Sequence, residues 1–285
     1  MDHFRGAIII LILSVIILPV SGNTSIGSQG RFQFHQLTPA TPPIPDRPIA
    51  VEHYNKGTLY IQRNQIDLAI DSLNRAIKLN PRLARAYLNR GHIFYRKGLM
   101  DKAITDYTHT ISIDPTIPLA YFNRGTAYYQ KKMHDLAIAD LTRAINLNPN
   151  LAQAYLNRGS AYYAQGFYTE ALSDFSSTLK IMPGFSMGHF NRALAYYQEG
   201  RYSSAIADFS EAVRRDPSLD EVYPLRGDAY YMRGLYSLAR RDYSKAIDLN
   251  PQAELFLKRA RTFVLGKHYL NALKDLITAG FISLF

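Results

Sequence analysis

The sequence predicts an all-α fold, a solenoid of stacked helical hairpins, and three observations carry that expectation. Six prolines, Pro81, Pro115, Pro149, Pro183, Pro217 and Pro251, stand 34 residues apart. A fixed period of this length marks one supersecondary unit used repeatedly. Other residue types keep the same period. Alanine recurs at Ala69, Ala103, Ala137, Ala171, Ala205 and Ala239, and glycine at Gly57, Gly91, Gly125, Gly159 and Gly227, with Ala193 in the remaining place. Three residues after glycine comes an aromatic column, Tyr60, Phe94, Tyr128, Tyr162, Tyr196 and Tyr230. A second bulky column is Leu73, Tyr107, Leu141, Phe175, Phe209 and Tyr243. The third observation is the pattern inside one period. A helix is expected from about residue 84 to residue 97, a break at Gly98, a second helix from about 100 to 113, and a turn at Asp114-Pro115.

The chain before the repeats is of another kind. Arg5 precedes an apolar run from Gly6 to Val20. Its length of about 14 residues suits the apolar region of a signal peptide better than a membrane span of about 20. Val20-Ser21-Gly22 offers small residues for cleavage. Residues 1–22 therefore read as a cleaved signal or a retained membrane anchor, and either places the repeats outside the cytoplasm, periplasmic or secreted. Residues 23–48 read as a flexible linker. Pro39, Pro42, Pro43, Pro45 and Pro48 disfavour helix and favour extended polyproline II. Asn23-Thr24-Ser25 fits a glycosylation sequon. The repeats then occupy 50–83, 84–117, 118–151, 152–185, 186–219 and 220–252. A degenerate seventh covers 253–285, with Phe256, Ala260, Phe263, Ala272, Leu276 and Ala279 in its columns.

The order bulky residue, Gly, Tyr, Ala, Phe, Pro within 34 residues resembles the tetratricopeptide repeat family. The resemblance covers about 230 of the 285 residues. It implies a right-handed superhelical α-solenoid whose first helices line a concave groove, and a role in binding proteins rather than in catalysis.

Helical geometry sorts the faces of the first helices. At 100° per residue, Tyr121, Gly125 and Tyr128 share one packing face, and Asn123 points about 160° away from Tyr121. Asparagine fills that column in five units: Asn55, Asn89, Asn123, Asn157 and Asn191. An amide donates and accepts, so it can pair with an extended peptide backbone. The column resembles the asparagine ladder of family members that hold extended peptides. Arg85, His92, Arg96, Thr126, Gln130, Gln153, Ser160 and Gln198 extend the same face, and these thirteen residues are the candidate peptide-binding groove. A solvated face of tolerated polar residues is the bland alternative.

Arginine follows the asparagine column at Arg90, Arg124, Arg158, Arg192 and Arg226. Each of these units also carries an aspartate, Asp106, Asp140, Asp174, Asp208 or Asp242, and the last keeps Arg259 with Asp275. The first unit lacks both, with Lys56 and Ser72 instead. Residues present or absent together are expected to touch, so these read as structural ion pairs. A tyrosine column, Tyr95, Tyr129, Tyr163, Tyr197 and Tyr231, is expected to pack rather than to stack on ligand rings.

Composition bounds the chemistry. There is no cysteine, which removes disulfides, a thiol nucleophile and cysteine metal sites. The eight histidines are scattered, and no catalytic constellation, phosphate loop, metal spacing or cofactor motif emerges. A protein or peptide partner is the expected ligand. The net charge of +10 admits an alternative, a basic solenoid binding anionic polymers such as nucleic acid or an envelope surface. Nucleic acid is the disfavoured form, because the groove face carries few basic residues. Residues 6–20 offer a membrane contact. The ending Ala279-Gly-Phe-Ile-Ser-Leu-Phe285 either folds back or leaves an apolar patch for oligomerisation.

Overall fold

The computed structural model describes residues 48–282. The expected signal or anchor, the linker and the Asn23 sequon lie outside the described residues. Fourteen helices and no strand occur among the described residues. The chain divides into two compact units after Pro81. The first holds α1 (Pro48–Gln62) and α2 (Ile66–Leu79). The second holds α3 (Ala84–Arg96), α4 (Met100–Ile113), α5 (Pro118–Gln130), α6 (His134–Leu147), α7 (Ala152–Ala164), α8 (Tyr168–Ile181), α9 (Ser186–Gln198), α10 (Tyr202–Arg215), α11 (Val222–Met232), α12 (Tyr236–Leu249), α13 (Ala253–Leu265) and α14 (Tyr269–Ile282). The fold is an all-α solenoid. Each odd-numbered helix pairs with the next to make a repeat, and within the second unit each repeat packs on its neighbours in sequence.

Each first helix stops for the same backbone reason. One residue turns left-handed: Asn64, Gly98, Lys132, Gly166, Gly200, Gly234 or Lys267. The amide after it then donates back to the carbonyl five residues earlier, as Leu99 does to Phe94 at 2.9 Å and Phe167 to Tyr162 at 3.0 Å. This is the Schellman arrangement, which satisfies carbonyls the helix end leaves open. The second helices end before proline, which pushes its predecessor out of the helical region. Asp114 accordingly sits at φ −140°, ψ 96°. Its carboxylate accepts the Thr116 amide at 3.0 Å.

Small residues bring the helices of a repeat together. A Cβ added at Gly159 would lie 2.8 Å from the Phe175 ring, and one at Gly227 would lie 2.7 Å from the Tyr243 ring. The alanine column, Ala103 to Ala239, is fully buried beside these contacts. The core is thus a line of aromatic and aliphatic plugs, Tyr107, Leu141, Phe175, Phe209 and Tyr243, one per repeat. Small first-helix residues of the next repeat join it, as Ala120 joins Leu88 and Tyr107, and Ala195 joins Leu156 and Phe175.

Candidate functional site

The arginine column is locked. Arg158 donates from Nε and Nη2 to the two carboxylate oxygens of Asp174, both at 2.8 Å. Bidentate pairs of the same kind join Arg90 to Asp106, Arg124 to Asp140, Arg192 to Asp208, Arg226 to Asp242 and Arg259 to Asp275. The expected pairing therefore holds in all six repeats of the second unit. Burial lifts the Asp174 carboxyl above its ordinary value, although Arg158 pulls it down. The Asp174 bond is the larger influence raising Arg158, so the guanidinium stays charged.

A third contact escaped the sequence reading. The remaining Nη1 of Arg158 donates to Thr142 Oγ1 of the preceding repeat at 2.9 Å. Arg124 does the same to Thr108, Arg192 to Ser176, Arg226 to Ser210 and Arg259 to Ser244. Each of these five arginines thus ties its own hairpin to the preceding repeat, and its five donors leave little for a ligand. The hydroxyl column was visible in the sequence as a Ser/Thr position at the same period.

The thirteen groove candidates separate by burial. His92, Arg96 and Gln198 are exposed, and Arg85, Asn89, Asn123, Gln130 and Gln153 are half-buried. Asn55, in the first unit, is exposed. Four candidates depart from expectation. Asn157 and Asn191 are each only 1% exposed, and Thr126 and Ser160 are also buried. The reading from a single helix placed this column away from packing. The stack adds a neighbouring first helix beside it. Asn157 Nδ2 donates to Thr126 Oγ1, 31 residues earlier, at 2.9 Å, and Thr126 donates on to the Phe122 carbonyl at 2.8 Å. Ser160 donates to the Leu156 carbonyl at 2.9 Å. Asn157 and Thr126 therefore form a seam between adjacent repeats, Ser160 and Asn191 are closed off by burial, and none of the four is an open clamp. Asn191 has neither amide atom bonded.

What stays open is polar and mildly basic toward α3. His92 titrates below its ordinary value, chiefly because surrounding protein desolvates the ring and secondarily because Arg96 repels its cation. Its own surface is nevertheless solvent-exposed. Gln130 Nε2 donates to the Tyr95 hydroxyl at 3.3 Å, linking adjacent first helices. The tyrosine column packs: Tyr163 meets Tyr168, and Tyr197 meets Tyr202, edge to face. Burial pushes the Tyr129 and Tyr197 hydroxyls up to about 12.

The other end of the face carries a network the sequence reading missed. Asp228 accepts from the Tyr243 hydroxyl and from Lys258 Nζ, each at 2.8 Å. Burial raises the Tyr243 hydroxyl, and the Asp228 charge raises it further. Arg261 lies over the Tyr231 ring, 5.2 Å from its centroid. These five residues line one small depression. The signal was Lys258, which stands in the asparagine column once the one-residue deletion is allowed for. Among the described residues no group of His, Asp and Glu is placed to hold a metal ion. No described helix is long and apolar enough to cross a membrane.

Comparison with known proteins agrees with this architecture. Models described as TPR repeat match residues 57–98 and 91–132. Models described as tetratricopeptide repeat match 118–151, 156–220 and 190–254. The chain is similar to the solved structure of MamA protein, with 27% identity over 59% of this chain and 92% of that one, at a TM-score of 0.55. It is similar to YrrB, described as a TPR protein with an unusual peptide-binding site, with 20% identity over 66% and 96% and a TM-score of 0.60. It is also similar to PilW, described as a type IV pilus biogenesis factor, with 20% identity over 71% and 94% and a TM-score of 0.62. The last two likenesses are of fold alone. No curated protein sequence matches the chain.

Proposed function

Because the chain belongs to the tetratricopeptide repeat family, we propose that it is a non-catalytic scaffold that binds an extended peptide or partner helix on its first-helix face, outside the cytoplasm. One observation carries the reading. The groups that hold the repeats together are sequestered in Arg–Asp–hydroxyl locks, while His92, Arg96 and Gln198 are exposed and Arg85, Asn89, Asn123, Gln130 and Gln153 keep part of their surface in solvent. A ligand can therefore engage this face without breaking the stack. Asn89 and Asn123 stand one repeat apart, and neighbouring helices about 8–10 Å apart span about three residues of an extended strand. The peptide would bond its backbone to these amides and set acidic or polar side chains against Arg85 and Arg96. The fold is compatible with that class of ligand, since YrrB, which shares it, is described as a TPR protein with an unusual peptide-binding site. Placement outside the cytoplasm rests on Arg5 and the apolar run after it.

A photo-crosslinking amino acid at Arg96 or at Gln198, with controls at Lys102 and Lys180 on second helices, tests the site. We expect adducts from the first pair and not from the controls. Asn89→Ala with Asn123→Ala should abolish them at unchanged melting. Asn157 and Asn191 are left intact, because their burial would confuse binding with folding. Equal adducts from all four positions would overturn the reading. The net charge of +10 favours one other reading, binding of an anionic polymer. Adducts that vanish between low and moderate salt and carry no protein would select it.

A further inference from the structure

The turns inside the repeats, from α3 to α12, lead into second helices that start without a side-chain cap. The residues at those starts are Leu99, Met133, Phe167, Arg201 and Leu235. Serine, threonine, aspartate or asparagine there would bond the open amides of the first helical turn. The chain does use such residues in the turns between repeats. Asp114 accepts the Thr116 amide, Asn148 the Asn150 amide and Asp216 the Ser218 amide. First helices also start at apolar residues, but those have a packing reason: Ile117 and Phe185 are half-buried against the core between repeats. Leu99, Met133, Phe167 and Leu235 are instead 40–51% exposed. Phe167, which meets Tyr162 edge to face, is the most exposed of the four.

Positive charge gathers on the same turns. The last three residues before each second helix supply the exposed cations Lys97, Lys131, Lys132, Arg201 and Arg233. They supply one carboxylate, Glu199, which Arg201 meets at 3.3 Å. The next carboxylates, Asp101, Asp135 and Glu170, lie inside the first helical turn, where the helix dipole favours them. Lys102 stands beside Asp101. Lys132 takes the left-handed place that Gly98, Gly166, Gly200 and Gly234 fill in the other repeats, so a cation is kept where glycine would be relaxed. Side-chain bonds line the turns up. Lys131 donates to Asp101 of the preceding repeat. Gln165 donates to Asp135 at 2.6 Å, and Thr169 to Glu199 of the following repeat at 3.0 Å. Apolar tips and cations thus share one edge of the second unit.

Spacing identifies the partner. The tips come one per repeat, about 8–10 Å apart, with polar backbone turns between them. A protein hot spot is a compact, fully desolvated cluster, which separate tips do not make. A bilayer surface accepts apolar side chains singly among its headgroups, and its anionic lipids attract the cations between them. We propose that this turn edge is a peripheral docking site for a bilayer carrying anionic lipid, with Leu99, Met133, Phe167 and Leu235 entering the headgroup layer. It shares no residue with the proposed peptide-binding face, so both can be occupied at once. The missing caps then have a reason, because local rules are broken where a function needs the position.

The chain has no cysteine, so a single dye can be placed on the edge itself. The full chain with Met133→Cys, labelled with a polarity-sensitive fluorophore, is mixed with phosphatidylcholine vesicles containing about a third phosphatidylglycerol. Emission should move to the blue and rise at least roughly twofold, with little change on pure phosphatidylcholine. The same dye at Lys180→Cys, exposed at the C-terminal end of α8, should not respond. Leu99→Ser with Phe167→Ser supplies two capping hydroxyls. The pair should raise Tm and lower the Met133→Cys response at least roughly fivefold. Weaker docking in a more stable protein separates this role from a structural one. A Met133→Cys dye that stays in water would overturn the proposal, even where residues 6–20 hold the chain on the vesicles. So would an equal response to the uncharged vesicles, or a response indifferent to the two serines. A dye that shifts only in a membrane-free cell extract would overturn it too, and would assign the edge to a protein partner.

Discussion

A single left-handed residue ends every first helix, and not every unit has the best residue for it. Gly98, Gly166, Gly200 and Gly234 adopt positive φ without a Cβ penalty, but Lys132 and Lys267 do so at φ 60°. Lys132→Gly is expected to stabilise the protein by about 1 kcal/mol, or about 2–4 °C in Tm for a unit of this size. A thermal melt checks it, and an unchanged or lower Tm would contradict the strain argument. The His92 ring supplies a second prediction. Its folded pKa is lowered, so the folded state binds the proton less readily than the unfolded chain. Its contribution to stability is then present above the ordinary imidazole value and lost as pH falls through it. Titration of the imidazole by NMR should give a midpoint below 6.5, and Arg96→Gln should raise it only in part, because desolvation is the larger cause.

Hairpins are held by the arginine locks, whose energetics are those of partly buried ion pairs. The Arg158 and Asp174 side chains are 17% and 5% exposed. Arg158→Ala strands the Asp174 carboxylate and the Thr142 hydroxyl, and should cost about 3–5 kcal/mol. The raised Asp174 pKa shows that burial of this carboxylate is itself unfavourable. Arg158→Gln with Asp174→Asn is therefore expected to cost much less than the sum of the two single changes, and urea midpoints of the four proteins in the cycle measure it. Additive losses would mean that the two residues act independently, against the 2.8 Å bidentate geometry. The helix pair was readable in the sequence because its partners appear and vanish together between units. The bridge to Thr142 was not, because that residue belongs to a different repeat and the period alone does not say which neighbour its hydroxyl meets.

Within residues 82–282 each repeat touches chiefly its sequence neighbours, so stability should be distributed nearly one-dimensionally. Breaking a lock in the middle and at the end should then have different outcomes. Arg158→Ala should lower the midpoint of the main unfolding transition. Arg259→Ala should instead produce an early loss of helical signal no larger than that of α13 and α14, with the remainder melting as before. Circular dichroism and amide exchange distinguish the cases. Identical shifts of one cooperative transition in both variants would show that the stack unfolds as a block.

The 34-residue period, the hairpin boundaries and the Arg–Asp pairs followed from the sequence, because each depends on chemistry local to one repeat and is written several times over. Tertiary structure decided what lies between repeats. A helical wheel places Asn123, Asn157 and Asn191 on one face, and only the adjacent helix determines that Asn157 and Asn191 are sealed while Asn123 stays half open. In the same way Leu276 reads as a core residue from its column and is half exposed in the structure. Burial is a property of what a neighbour covers, and a repeated sequence specifies the unit more completely than the surroundings of each copy.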